Sequence, residues 1–88
     1  MSLLDNIQNY YEALVIEALA DMVEGQNLSE DVLTDVVCVA LNHLPPRYIR
    51  HEVDMMYYTS PVERSELVDK AREAVKAALD YMKESKRT

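Results

Sequence analysis

The stretch Val32–Tyr48, VLTDVVCVALNHLPPRY, decides how the chain is read. At about 100° per residue, Val32, Leu33, Val36, Val37, Val39, Ala40, Leu41 and Leu44 cover half a helix circumference or slightly more, wider than a surface helix needs. Asp31, Thr34, Asp35, Cys38 and Asn42 form the remaining polar stripe. The valines weaken helix propensity, and a strand is the rival reading. Length and the unbroken run into NHLPP favour a helix with neighbours on two sides. In an 88-residue chain, one of those neighbours is open to a second subunit.

Pro45 ends this helix, because the residue before a proline is pushed out of the α region. Pro46 stiffens the exit, so Arg47 and Tyr48 leave in a fixed direction. The last helical carbonyls lack amide partners, and prolines supply none. Asn42 is expected to turn back and bond them, with Asp35 two turns earlier on the same face. Beyond the turn, YIRHEVDMMYYTS (48–60) fits a helical face and a strand face equally well, and it is read as a short extended or one-turn segment.

Working outward, a first helix is expected from about Leu3 to Val23. Ser2 is the expected N-cap, with Asp5 as an approximate capping box. Leu4, Ile7, Tyr11, Leu14, Val15, Ala18, Leu19 and Met22 make one stripe, and Ile16, Ala20 and Val23 a weaker second strip open to a partner helix. Gly25, the chain's single glycine, sits where a left-handed C-terminal residue is wanted. Asn27 or Ser29 would cap the second helix. In TSPVERSEL (59–67), Ser60, Pro61 and Glu63 form a full capping box for a third helix. Its stripe is Leu67, Val68, Ala71, Ala74, Val75, Ala78, Leu79 and Met82. On its outer face, Glu66 with Lys70, Asp69 with Arg72, and Asp80 with Lys76 or Lys83 are spaced to pair. Residues 83–88 read as a flexible, solvated tail.

The fold class expected is all-α. It is a compact three-helix, possibly four-helix, single domain over 1–88, with a short extended or one-turn segment after the Pro-Pro turn, assembling as a helical homodimer.

Charge is unevenly placed. Residues 1–44 hold eight acids and no Lys or Arg, whereas residues 45–88 hold eight acids and nine Lys or Arg. An acidic half argues against nucleic-acid binding, which needs clustered cations. No apolar run approaches the roughly 18 residues of a membrane span. MSLLDNIQNYY has no basic n-region, so it is not read as a signal peptide. Cys38 is the single cysteine, and the cytoplasm is the expected compartment.

Catalytic signatures are missing. There is no G-x-S-x-G, no Gly-rich phosphate loop and no H-E-x-x-H. Cys38 and His43 stand about 140° apart on one helix and would not meet. Cys38 with His43, His51 and nearby acids has no recognised metal spacing. No catalytic residue, metal or cofactor is expected. His43, inside the apolar arc, reads as a hydrogen-bonded core or interface histidine.

The concentrated feature is Arg47, Tyr48, Arg50 and His51, with Asp54 and Tyr57 following. Arginine forks bind phosphate bidentately, and tyrosines stack on bases. Arg47 and Arg50 would contact phosphate, Tyr48 or Tyr57 a base, and Asp54 or Asp35 a guanine edge. The plainer reading pairs Arg47 and Arg50 with the acidic helices 1 and 2 while the tyrosines finish the core.

DVVCVALNHLPPRYI (35–49) resembles the hallmark of the late competence development ComFB family, an Asp–apolar pattern leading into ALN-x-LPPRY. NYYEALVIEAL (9–19) is similar to that family's N-Y-x-E-x-L-V pattern, here Asn9, Tyr10, Glu12, Leu14 and Val15. Typical members carry a C-x-C-x-x-C cluster, associated with zinc, between the first two helices. Here that loop reads EGQNLSED without cysteine, so zinc is not carried over. The glycine that many members place after PPRYI is also missing. The resemblance implies a small helical homodimer in the cytoplasm, not an enzyme, and for some members a receptor role for cyclic dinucleotides such as cyclic di-GMP. The expected function is thus a dimeric regulatory protein binding a cyclic dinucleotide. The alternative is a competence-related protein–protein adaptor without a small ligand, using its acidic half as the contact surface.

Overall fold

The computed structural model describes residues 3–50 and 59–85, with side chains through Lys83. A 3-10 turn over Leu3–Asn6 leads into strand β1, Ile7–Asn9. Helix α1 spans Tyr10–Met22 and α2 spans Glu30–Asn42. Strand β2, Tyr48–Arg50, follows, and α3 runs from Pro61 to Ser85. Three helices therefore build the domain as expected, but a small antiparallel two-stranded sheet joins them. Ile7 pairs with Arg50, Gln8 with Ile49 and Asn9 with Tyr48.

The first helix begins seven residues later than the hydrophobic period implied. Asn9, not Ser2, is its N-cap. Asn9 Oδ1 accepts from the Tyr11 N–H at 3.2 Å, and Glu12 Oε2 accepts from the Asn9 N–H at 3.2 Å. This capping box sits inside the N-Y-x-E stretch and outcompetes the Ser2–Asp5 start, because β2 supplies strand partners for residues 7–9. Leu4 is consequently 74% exposed rather than part of the core stripe.

The other boundaries follow local chemistry. Val23 N–H donates to the Leu19 carbonyl, and Gly25 then turns the chain at φ 82°. Ser29, rather than Asn27, caps α2, its Oγ accepting from the Val32 N–H at 3.2 Å. Ser60 caps α3, its Oγ accepting from the Glu63 N–H at 3.0 Å. Helix α3 continues through Lys83 to Ser85, three residues into the expected tail.

The core lies where the three helices meet. Tyr11, Leu14, Val15, Ala18 and Leu19 come from α1, Val36 and Ala40 from α2, and Leu67, Ala71, Val75 and Ala78 from α3. Val15, Val36, Ala40, Ala71 and Val75 are fully enclosed. Alanines at these seams let the helix backbones approach closely. Each enclosed valine contributes about 1.5–3 kcal/mol of burial, large in so small a domain. Helix α2 packs against both α1 and α3, so both neighbours demanded by its wide arc lie in its own chain. Its remaining apolar residues, Val32, Leu33, Val37, Val39, Leu41 and Leu44, are half-buried. Arg72 pairs with Asp21 of α1 at 3.0 Å rather than along its own helix with Asp69.

Candidate ligand face at the Pro-Pro turn

The PPRY segment is clasped to the start of α1. Asn9 Oδ1, already capping α1, also accepts from the Arg47 N–H at 2.9 Å. The Tyr10 N–H in turn donates to the Arg47 carbonyl at 2.6 Å. Arg47 thus has both backbone groups bonded to the first turn of α1, and β2 is aligned against β1 from that point. The two stretches that resemble the family are bonded to one another.

Alternation along β2 then sets the display. Tyr48 and Arg50 are exposed, while Ile49 between them is half-buried. Tyr48 is 64% exposed, so it does not finish the core. The Arg47 side chain turns to α3, where its Nη2 donates to Glu63 Oε1 at 2.6 Å. Its ion-pair partner is therefore the capping-box acid of α3, not an acid of α1 or α2. Both side chains are about two-fifths exposed, at 43% and 39%, and such a pair contributes little to stability. Next on α3, half-buried Arg64 has its Nε–H buried with no hydrogen-bond acceptor among the described residues. A buried donor without an acceptor costs about 1–3 kcal/mol.

At the end of α2 the expected capping residue is displaced by its neighbour. His43 Nδ1 donates to the Val39 carbonyl at 2.8 Å, and its backbone N–H donates to the Ala40 carbonyl at 3.1 Å. Asn42 is exposed and makes no such bond among the described residues. His43 is exposed rather than a core residue, and it lines a cleft of about 490 Å³ between α2 and α3 with Val39, Asn42, Ala74, Ala77 and Tyr81.

The structure therefore brings together Arg47, Tyr48, Arg50 and Glu63 around the exposed Pro45–Pro46 turn. Asp35 stands apart, about 10 Å of helix rise before Asn42. His51, Asp54 and Tyr57 lie outside the described residues. Sequence reasoning missed Asn9 and Glu63 as members of this neighbourhood. The N-x-x-E spacing of Asn9 and Glu12 was the available signal for the first.

The loop between α1 and α2 offers no thiolate, and Cys38 is exposed on α2. Among the described residues no group of three or more His, Cys, Asp or Glu is placed to hold a metal ion. The described residues do not fit the zinc associated with typical relatives. No helix among the described residues is long and apolar enough to cross a membrane.

These features define a small three-helix module whose first and third helices are both tied to a rigid Pro-Pro-Arg-Tyr turn. The chain matches the family described as Late competence development protein ComFB over residues 8–86, and it belongs to that family. Among curated proteins and among solved structures, nothing matches.

Proposed function

We propose that this protein is a non-enzymatic, dimeric regulatory module of the cytoplasm that binds a cyclic dinucleotide, cyclic di-GMP or a close relative, on the face around β2. The observation that carries the reading is the side-by-side exposure of Tyr48 and Arg50 on a strand fixed by the Asn9–Arg47 clasp. A tyrosine plane beside a guanidinium fork suits a base linked to a phosphate. A further cation supports it: among the described residues the Arg47 side chain is held by an exposed ion pair that a phosphate can displace. In this reading Arg50 and Arg47 take phosphate oxygens and Tyr48 stacks on a base.

The dimer contact is assigned to the α2–α3 cleft. Its alanine-lined floor lies beside Tyr81, which is 58% exposed and suited to packing across a two-fold axis.

Isothermal calorimetry with cyclic di-GMP and cyclic di-AMP tests the ligand. Heat that Arg50→Ala and Tyr48→Ala each abolish, without loss of helical content, supports the site. No heat from wild-type protein at high micromolar concentration overturns it for these ligands. Sedimentation of Tyr81→Arg beside wild type tests the dimer contact.

A further inference from the structure

On the side of the bundle away from α3, α1 and α2 leave an open apolar groove of about 600 Å³. Ile16, Ala20 and Val23 form one wall, and Leu33, Val37 and Cys38 form the other. Ile16 is 56% exposed there, an unusual setting for so large an aliphatic side chain. The groove shares no lining residue with the Arg47–Tyr48 face and is not used by the ligand reading above.

Charge decides what suits it. Glu30 lines the groove. Glu17 and Glu24 flank the α1 wall, Asp31 and Asp35 flank the α2 wall, and all are exposed. Neither helix carries a Lys or Arg. Among the described residues, Arg72 is the cation whose side chain pairs with an acid of α1, and it is spent on Asp21 at the α1–α3 seam. Two copies of this face set against each other would oppose acid to acid within the screening distance of about 8–10 Å. A self-paired groove is therefore disfavoured by the residues that border it. An occupant with apolar side chains flanked by cations is favoured on both counts. The apolar wall residues on each side span eight positions or fewer, about 10 Å of rise or two turns, which matches anchors at i, i+3, i+4 and i+7.

We propose that the α1–α2 groove is a docking site for a cationic amphipathic helix of another protein, with its apolar stripe seated on Ile16, Val23, Leu33 and Val37 and its Lys or Arg residues paired to the bordering acids. The chain is then a two-faced adaptor. The α1–α2 face holds a basic helix, and the β2 face stays free for the nucleotide proposed above.

The test uses the full chain and a synthetic peptide of about five helical turns, with Leu at i, i+3, i+4 and i+7 and Lys elsewhere. Its controls are a Glu-for-Lys counterpart and a scrambled peptide of equal charge without the stripe. Cys38, the chain's single thiol, lines the groove and reports occupancy through its alkylation rate. The Lys peptide is expected to bind with micromolar affinity and slow alkylation by about tenfold at saturation, whereas both controls leave the rate unchanged. Glu17→Lys with Asp31→Lys, at exposed positions outside the apolar lining, should weaken binding by about tenfold. Ile16→Lys should do so too, with an unchanged circular dichroism spectrum. Equal protection by the scrambled or Glu peptide, or full affinity in the Glu17→Lys/Asp31→Lys variant, overturns the proposal. So does a wild-type dimer in sedimentation that Ile16→Lys splits, because a second copy would then already cover the groove.

Discussion

One side-chain oxygen, Asn9 Oδ1, accepts from both the Arg47 N–H at 2.9 Å and the Tyr11 N–H at 3.2 Å. It caps α1 and anchors the Pro-Pro turn from a point 38 residues away in sequence. Everything displayed on β2 depends on that double role.

Asn9→Ala removes the cap and leaves the Arg47 amide to find water. A lost N-cap alone costs about 0.5–2 kcal/mol, and the second bond adds about 0.5–1.5 kcal/mol. Thermal denaturation should show a fall of roughly 4–8 °C for each kcal/mol in a domain this size. Asn9→Asp keeps the acceptor and should recover most of it. A melting temperature for Asn9→Ala equal to wild type would remove the clasp from the account of stability.

Much of this framework was legible locally. Gly25, Ser29 and Ser60 mark their helix boundaries through effects confined to one turn, and the stripe from Tyr11 to Leu19 predicts the buried face of α1. The strands were not legible, because Ile7 continues the helical period of α1 and β1 exists only through pairing with distant β2. Arg72 shows the same limit. Its neighbour Asp69 is visible in sequence, but its partner Asp21 is brought close by packing. At the α2 terminus both Asn42 and His43 carry donors, and only the ring of His43 meets the Val39 carbonyl. Of the candidate face, the Arg-Tyr concentration was plain, whereas the engagement of Arg47 by Glu63 depends on where α3 starts in space.

The core should respond steeply to truncation. Val36→Ala and Val75→Ala each remove two methyl groups from fully enclosed sites. Each should cost about 1.5–3 kcal/mol, a large share of the stability of a small domain. Ile16→Ala removes an exposed side chain of greater size and should stay within about 0.5 kcal/mol. Urea titration distinguishes them through the midpoint at unchanged slope. A core variant as stable as Ile16→Ala would contradict the packing described.

Gly25→Ala isolates backbone strain from crowding. Nothing lies within 4 Å of a Cβ placed there, yet φ is 82°. The expected cost is therefore the left-handed penalty alone, about 1–2 kcal/mol, and Gly25→Asn should cost less. Similar losses for Ala and Asn in thermal denaturation would mean that space, not the dihedral angle, sets the preference.

Glu63 links stability to the ligand reading and makes the sharpest test of it. Its carboxylate holds the Arg47 guanidinium at 2.6 Å, so an arriving phosphate must compete with it. The pair is exposed and contributes at most about 1 kcal/mol, and the first-turn acid adds about 0.3–1 kcal/mol through the helix dipole. Glu63→Gln should therefore lower the melting temperature only slightly. By freeing Arg47 and removing a negative charge from the face, it should tighten cyclic di-GMP by about 1 kcal/mol, roughly fivefold. Arg47→Ala should weaken the same ligand while melting close to wild type. Calorimetry on the two variants decides the matter. Weaker binding in both would mean that the ion pair is itself the ligand-ready arrangement. Unchanged binding in both would place the phosphates away from Arg47.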